Sequence, residues 1–360
     1  MLRAGLIGFR SVGKTTLFRL LTKSGKEIPK NRKSETHIGI SKVPDSRLDF
    51  LTTLYCPRKH VPATVEFSDL TAATRHAEKT TLNVAAFRTA DALLHVVRAF
   101  HDDTIAHPPG PIDPARDIQL MEDELILADL EVAEKRLERI ARELKKGTST
   151  ELSKEQNIIS YCRDTLEEGH PLRCLKLDRD NQKLMRGFQF LSAKPLLVVI
   201  NLDEQDVTMA DQAIENLGLQ AFMSKPATRC VPVCAKIELE ISQLDTDDAR
   251  AFLSDLNLQE FGLDRVIQAS YTLLGYISFF TVGEDECRAW SIPHSTPATT
   301  AAEEIHSDIS RGFIRAEVVP YERLRKRSSM TACREYGEVK LEGRNYLVKD
   351  GDVINFRFAT

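Results

Sequence analysis

Residues 8–16 contain the residue types that hold the phosphates of a nucleotide. They match the pattern GxxxxGK[ST] in full, with Gly8, Gly13, Lys14 and Thr15 at the required positions. In this pattern the glycines let the loop curl, so that backbone N–H groups face an anion at a helix N-terminus. The lysine reaches the β- and γ-phosphates, and the threonine hydroxyl sits on a magnesium ion. The sequence therefore predicts a phosphate-binding loop with Lys14 as its catalytic cation.

An aspartate at the end of a predicted strand offers a second ligand for magnesium. Residues 65–69 alternate between apolar and polar side chains and end in Asp69. At such a strand end an aspartate can hold Mg2+ through the water shell of the ion. A strand-end aspartate is also a common helix cap, but the phosphate-binding loop upstream favours the metal. We therefore predict that Thr15 and Asp69 together hold Mg2+.

Residues 201–204, Asn-Leu-Asp-Glu, directly follow the apolar strand predicted at 195–200. The carboxyl end of a core strand is where folds of this type recognise the base. In GTP-binding proteins the motif is Asn-Lys-x-Asp, and its aspartate accepts hydrogen bonds from guanine. Here Leu202 replaces the lysine and Glu204 is one methylene longer, which removes the guanine preference and favours ATP. Asn201 can still bond the edge of adenine.

Composition excludes several classes of protein. The chain has 360 residues, enough for two or three domains, and a formal net charge of −4, so no global field attracts nucleic acid or a membrane. Its seven cysteines are odd in number and scattered, which indicates core thiols in a reducing compartment. No apolar run approaches the roughly 18 residues of a membrane span, and no signal peptide precedes the first strand. We expect a cytoplasmic protein that does not contact membranes.

Two kinds of element must position these residues. The apolar strands at 2–7, 91–98 and 195–200 predict a parallel sheet covered on both faces, hence an α/β fold. Residues 113–146 and 150–168 have helical periodicity and predict a helical hairpin that projects from the nucleotide-binding domain as an arm. The charges of the arm are mixed in sign, so a solvated coiled-coil face and a docking surface both stay open.

The last third of the chain predicts a smaller mixed domain. Strands are predicted at 277–282, 287–292 and 353–358, with a short helix at 300–305. The concentrated basic run at 323–327 is a solvated loop in most proteins. On a domain of this type it is also a candidate contact with ribosomal RNA, because arginine and lysine pair with phosphates.

With these elements in place, the chain resembles the Obg-like ATPase (YchF) family, a branch of the translation-factor GTPases in the TRAFAC class of P-loop NTPases. The resemblance runs nearly from end to end. Besides the phosphate-binding loop and residues 201–204, it rests on the blocks at 43–48, 95–100, 112–114, 124–131, 234–238, 288–290, 312–318 and 348–354.

The resemblance implies a fold and an activity. Members have a P-loop nucleotide-binding domain with an inserted helical coiled-coil arm, followed by a C-terminal TGS domain with a ubiquitin-like β-grasp fold. We expect these parts at 1–112 and 191–276, at 113–190, and at 277–360, respectively. Members bind ATP in preference to GTP, hydrolyse it slowly and associate with ribosomes.

The resemblance also implies the site residues, position by position. The residues carried over to nucleotide binding are Gly8, Ser11, Val12, Gly13, Lys14, Thr15, Thr16, Asn201, Leu202, Glu204, Cys234, Ala235 and Lys236. Of these, Asn201 and Leu202 would flank the adenine, with the backbone of residues 234–236 nearby. The metal ligands would be Thr15 and Asp69.

Two departures from the family pattern affect the switch segments. The glycine-rich segment after the strand-end aspartate is replaced by Thr71–Asn83, which has no glycine and is about four residues shorter. The threonine that ligates magnesium from the first switch aligns with Lys33, and Thr36 takes the role only if the loop shifts. Both departures concern the sensing or cleavage of the γ-phosphate.

These observations predict a weak Mg2+-dependent ATPase that acts as a ribosome-associated switch and is a monomer. The alternative is a non-hydrolysing nucleotide-binding scaffold that binds a partner through its arm and TGS domain. Intact Lys14, Thr15 and Asp69 favour the enzyme, and the glycine-free second switch favours the scaffold. A GTPase is disfavoured by Glu204.

Overall fold

The computed structural model describes residues 2–22, 37–69, 84–147, 149–256, 258 and 260–359. The predictions for Lys33, Thr36 and Thr71–Asn83 therefore lie outside the described residues. The chain divides into two compact units. The P-loop unit comprises Arg3–Ile40 and Glu66–Leu273, and the C-terminal unit comprises Met1–Leu2, Ser41–Val65 and Leu274–Thr360.

Strands and helices alternate along most of the chain. The strands are β1 (Leu2–Ile7), β2 (His37–Lys42), β3 (Lys59–Val61), β4 (Thr64–Asp69), β5 (Ala92–Arg98), β6 (Leu196–Asn201), β7 (Thr228–Val233), β8 (Tyr276–Val282), β9 (Glu286–Pro293), β10 (Phe313–Pro320), β11 (Lys340–Glu342) and β12 (Asp352–Phe358). The helices are α1 (Lys14–Thr22), α2 (Ser46–Tyr55), α3 (Pro114–Leu144), α4 (Thr150–Glu167), α5 (Arg179–Arg186), α6 (Ala210–Asn216), α7 (Gln220–Met223), α8 (Ala235–Ile241), α9 (Thr246–Asp255), α10 (Gly262–Leu273), α11 (Ala298–Ile305), α12 (Ser307–Arg311), α13 (Tyr321–Arg327) and α14 (Met330–Glu335).

The central sheet has the strand order β2-β4-β1-β5-β6-β7. The pairs β1/β5, β5/β6 and β6/β7 are parallel, and every residue of β5 and β6 is buried. Because parallel strands end at the same edge, the loops after β1, β5, β6 and β7 meet there. The predicted α/β fold with a parallel sheet is confirmed.

The core under this sheet forms between the central strands and the first half of α3. Ile118, Met121 and Leu125 of that helix are each about 1% exposed and pack with the strand residues Leu93, Val97, Val198 and Ile200. The base of the arm is therefore part of the sheet's own core, so the position of α3 is fixed by the same burial that stabilises the sheet.

The predicted helical arm is confirmed as α3 and α4. The carboxylate of Asp113 caps α3 by accepting from the Arg116 N–H at 3.0 Å, and Pro114 occupies the first turn, where its missing N–H costs nothing. The two helices enclose an apolar core of their own. Across it Arg136 donates two hydrogen bonds to Glu155, at 2.6 and 2.8 Å.

The C-terminal unit contains a second sheet, in the order β11-β10-β12-β8-β9-β3. The hairpin β8/β9 is antiparallel, β12 runs parallel to β8, and β10 pairs with β12 in antiparallel fashion. Helix α11 follows the hairpin and buries Ala298, Ala301 and Ala302 against one face of the sheet. This hairpin–helix–strand arrangement is consistent with the predicted TGS-type β-grasp fold.

Residues 41–65 belong to the C-terminal unit, although they lie far from residues 274–360 in the sequence. The Arg47 guanidinium donates to both Asp350 oxygens, at 2.6 and 3.3 Å, across 303 residues. Asp350 Oδ1 also accepts a hydrogen bond from the Ser278 N–H, at 2.9 Å. In addition, β3 pairs in parallel with β9. Two of the blocks that carry the family resemblance, at 43–48 and 348–354, therefore contact each other.

Five of the seven cysteines are buried, as predicted for core thiols, whereas Cys56 is exposed and Cys174 is half-buried. All seven cysteines are free, and burial raises the pKa of Cys230 to about 11. Among the described residues, no helix combines the length and the apolar character that crossing a membrane requires.

Candidate functional site at the carboxyl edge of the parallel sheet

The phosphate-binding loop forms the turn between β1 and α1. Its backbone has positive φ at Gly8 (143°), Ser11 (61°) and Gly13 (98°). A Cβ on Gly8 would lie 2.5 Å from the Val96 carbonyl oxygen, and one on Gly13 would lie 2.5 Å from Asn201 Nδ2. Both glycines are therefore required by φ and by close approach, and the loop has the conformation that the motif predicts.

Lys14 lies folded over this loop. Its ammonium group donates to the carbonyl oxygens of Gly8, at 2.9 Å, and of Phe9, and the residue is 8% exposed. Burial lowers the Lys14 pKa to about 8; Asp69 opposes this shift and Arg10 adds to it. Lys14 is therefore mostly charged at neutral pH and is held where an anion on the loop would meet it.

Thr15 and Asp69 lie together beside the loop. The Thr15 hydroxyl donates to Asp69 Oδ2 at 3.5 Å, and Asp69 is completely buried at the end of β4. These are the hydroxyl and carboxylate oxygens that Mg2+ prefers, so the donor set fits this ion. Among the described residues no group of three or more His, Cys, Asp or Glu could form an all-protein metal cage. The ion would thus take its other ligands from water and phosphate, as Mg2+ usually does.

Asn201 connects two loops at the sheet edge. Its Nδ2 donates to the Val12 carbonyl at 3.1 Å, and its Oδ1 accepts from the Ala235 N–H at 3.0 Å. The residue is 6% exposed. Asn201 therefore fixes the phosphate-binding loop against the start of α8. The predicted contact with adenine would have to use the second hydrogen of Nδ2 or the second lone pair of Oδ1, and it stays a prediction.

The rest of the base motif is held by its own contacts. Leu202 is buried, and its N–H donates to the Val233 carbonyl at 2.8 Å. Glu204 and Lys236 form an exposed ion pair at 2.5 Å, which raises the Lys236 pKa. Cys234 and Ala235 are buried. The structure thus brings the loop after β6 and the loop after β7 together, as the sequence predicts.

His95 is a polar residue in the core of the parallel sheet. Neither ring nitrogen has a partner within the part of the chain that the structure describes, and the side chain is fully buried in β5. Burial, with a smaller effect from Lys14, lowers the His95 pKa to about 3. His95 is therefore neutral at physiological pH.

Arg98 is a structural residue of the site that the sequence analysis missed. It is 1% exposed, and its guanidinium donates to the carbonyl oxygens of Phe100, Asp102 and Ile105. The loop shaped in this way places the His101 N–H 3.2 Å from Asp203 Oδ2, next to the base motif. The signal in the sequence is an arginine that ends an otherwise apolar strand.

Comparison with known proteins identifies the family. The chain is 40% identical to the "Ribosome-binding ATPase YchF" of Bacillus subtilis (strain 168), over 99% of each chain. It is 36% identical to the protein of the same description from Escherichia coli O157:H7, again over 99% of each. The chain belongs to the YchF family. In addition, residues 276–359 match the family model YchF-GTPase_C, described as "Protein of unknown function (DUF933)".

Solved structures agree with this assignment. The Schizosaccharomyces pombe YchF GTPase superposes with a TM-score of 0.84 at 29% identity, covering 99% of this chain and 97% of that one. A GTP binding protein from Pyrococcus horikoshii OT3 shares the fold, with a TM-score of 0.58 at 17% identity over 99% and 100% of the two chains. The P-loop NTPase fold and the resemblance to the YchF family are thus confirmed.

Proposed function

We propose that this protein binds ATP with Mg2+, hydrolyses it slowly and acts as a ribosome-associated switch. The observation that carries the proposal is the placement of Lys14, Thr15 and the β4 residue Asp69 together at a phosphate-binding loop of the expected conformation. The bacterial relatives are described as ribosome-binding ATPases, which supports both ATP hydrolysis as the activity and the ribosome as the partner.

The residues supply mainly electrostatic catalysis. Lys14 would leave the carbonyl oxygens of Gly8 and Phe9 and pair with the phosphates. The attraction between its ammonium group and these anions would offset the free-energy cost of burying the charge. Thr15 and Asp69 would hold Mg2+, which supplies neutralisation of the charge on the β- and γ-phosphates. Since positioning and charge account for most of phosphoryl-transfer catalysis, a slow basal rate is consistent with these groups alone.

Glu204 supports ATP over GTP. A guanine reader needs a carboxylate that is available to two donors on the base, and the Glu204 carboxylate is already bonded to Lys236. The names of the relatives differ on this point, because the bacterial proteins are called ATPases and the S. pombe protein a GTPase. The choice of nucleotide therefore has to be measured on this chain.

A second candidate is a scaffold that binds ATP without hydrolysis. It is favoured by the glycine-free segment Thr71–Asn83. Where the family has a glycine whose N–H contacts the γ-phosphate, this chain has an alanine, whose backbone lacks the φ freedom of glycine. Its arm and TGS domain would then bind a partner, and ATP would be a structural ligand.

The test combines binding and turnover. Calorimetry with Mg2+ should show tighter binding of ATP than of GTP, and phosphate release should be slow and be accelerated by ribosomes. Lys14→Ala should weaken binding and abolish release, whereas Lys183→Ala removes an exposed lysine of α5 and should change neither. Tight ATP binding with no phosphate release under any condition would favour the scaffold, and tighter GTP binding would refute the ATP assignment.

A further inference from the structure

The loop that follows β5 is held by one buried arginine. Residues 99–105, which we call the β5 loop, come directly after Arg98 at the end of the strand. The Arg98 guanidinium donates to three carbonyl oxygens of this loop. They belong to Phe100 at 3.1 Å, Asp102 at 3.0 Å and Ile105 at 3.0 Å. Because the donors of a guanidinium group form a rigid planar fork, these three contacts together fix the backbone of the loop.

The β5 loop is bonded to the base motif at two points. The Ala99 N–H donates to the Asn201 carbonyl oxygen at 2.9 Å, which joins the start of the loop to the end of β6. Two residues further on, the His101 N–H donates to Asp203 Oδ2 at 3.2 Å. The loop that Arg98 shapes is therefore attached both to Asn201 and to Asp203.

The Asp203 carboxylate connects this loop to the backbone of Glu204. While Oδ2 accepts from His101, Oδ1 accepts from the Glu204 N–H at 2.7 Å and caps the short 3₁₀ helix Glu204–Met209. Each oxygen of one carboxylate thus holds one N–H group. The Glu204 side chain leaves this fixed backbone and pairs with Lys236.

The charges of the β5 loop and of the Glu204–Lys236 pair also interact. Hydrogen bonds from the Thr104 hydroxyl and N–H, at 2.6 and 2.9 Å, lower the pKa of the Asp102 carboxylate, and the charges of Arg98 and Lys236 lower it further. Lys236 is therefore close enough to the loop for its charge to act there.

We propose that Arg98 and Asp203 are positioning residues that keep the Glu204 carboxylate on Lys236 and thereby favour ATP over GTP. Guanine needs a carboxylate that can accept from two donors on the base, and a carboxylate held on Lys236 is not available for them. Asp203, fixed by the β5 loop, sets the direction in which the Glu204 side chain leaves the backbone. The inference rests on the proposed function in taking ATP as the nucleotide.

The experiment measures the ratio of the dissociation constants for GTP and ATP, by calorimetry with Mg2+ on the full-length protein. Both nucleotides carry the same ribose and phosphates, so this ratio depends on the base, and a general loss of stability leaves it unchanged. Asp203→Asn replaces one acceptor oxygen by an NH2 group, so the side chain can hold only one of its two N–H partners. The ratio should fall about fivefold or more, the order of one lost hydrogen bond.

A matched control lies in the same 3₁₀ helix. Asp206 is exposed, and Asp206→Asn removes the same charge without touching the contacts of Asp203. This variant should change the ratio less than about twofold, as surface substitutions do.

Arg98→Lys tests the other end of the connection. A lysine keeps the charge but loses the planar fork, so the ratio should fall in the same direction as in Asp203→Asn. Because Arg98 is 1% exposed, this change also destabilises the protein. Asp129→Ala, which removes a buried carboxylate of α3, controls for destabilisation and should weaken the binding of both nucleotides equally or not at all.

A double variant tests the route through Lys236. Lys236→Met releases the Glu204 carboxylate and should itself lower the ratio. In that background Asp203→Asn should change the ratio less than about twofold further, because residues that act through one pair are not additive. Additive effects would overturn the proposal, and so would equal changes in Asp203→Asn and Asp206→Asn.

The wild-type ratio separates this inference from the proposed function. Tighter binding of GTP by the wild type would refute the ATP assignment and this inference with it. A wild-type preference for ATP that Asp203→Asn leaves unchanged would refute only the positioning role.

Discussion

At the scale of single residues, the electrostatics of Lys14 couple nucleotide binding to pH. The ammonium group is buried against two carbonyl oxygens, and this burial lowers its pKa to about 8. Phosphate binding requires the charged form, because the attraction is between an ammonium group and an anion. The free protein therefore loses, above about pH 8, the charge that binding needs.

We predict that nucleotide binding takes up a proton above about pH 8. The affinity should fall about tenfold per pH unit there, since one pKa unit corresponds to about 1.4 kcal/mol. Calorimetry at pH 9 in two buffers of different ionisation enthalpy measures the uptake directly. Lys14→Met should bind weakly with no uptake. An absence of uptake in the wild type at pH 9 would contradict the role given to this group.

The same burial predicts a linked effect on stability. The unfolded chain holds the Lys14 proton up to its usual pKa of 10.5, whereas the folded protein releases it near pH 8. Between these values the unfolded state binds more protons, so this group makes the free energy of unfolding rise with pH.

At the scale of secondary-structure elements, the base of the arm is held by one buried carboxylate. Asp129 of α3 is 0% exposed and accepts from the Leu191 and Ser192 N–H groups, at 2.9 and 2.7 Å, and from Ser192 Oγ at 2.8 Å. Arg88 donates to the same carboxylate at 2.9 Å. The helix is thus bonded to the segment that leads into β6, whose end carries the base motif.

We predict that Asp129→Ala destabilises the protein by about 3–5 kcal/mol, because it removes the carboxylate that pairs with the partly buried Arg88 and leaves two backbone N–H groups without an acceptor. Urea denaturation measures the loss. Hydrogen exchange should show reduced protection of the Leu191 and Ser192 amides. Glu131→Ala, on the same helix but 66% exposed and paired with the exposed Lys135, should cost less than about 0.5 kcal/mol. Equal effects of the two changes would refute the anchoring role.

The elements themselves were predictable because their signals are local. The apolar strands, the GxxxxGKT turn and the long amphipathic stretch each lie within a few dozen residues, so periodicity located β5, β6, α3 and α4 to within about two residues. The Glu204–Lys236 ion pair and the two side-chain hydrogen bonds of Asn201 join segments that are far apart in sequence. Asn201 reaches Val12 across 189 residues, which no local pattern encodes.

At the scale of the whole molecule, the composition of the C-terminal unit is the main feature that the sequence did not indicate. Residues 41–65 contain α2, whose first turn is capped by the Asp45 carboxylate, but no local pattern in this segment indicates a distant partner. In the structure, α2 buries Leu48 and Leu51 in this unit, and Arg47 bonds Asp350. The family model covers 276–359 and so omits this segment.

We predict that residues 274–360 alone do not fold stably, because removing residues 41–65 uncovers the apolar surface that Leu48 and Leu51 bury. Each fully buried leucine contributes about 1.5–3 kcal/mol, a large share of the 5–15 kcal/mol typical of a domain. Joining 41–65 to 274–360 through a Gly/Ser linker should give a dispersed amide NMR spectrum and a cooperative urea transition. The same fusion with Leu48→Asp/Leu51→Asp should give neither. If 274–360 alone unfolds at the same urea concentration as the fusion, segment 41–65 is an accessory to this unit and not part of its core.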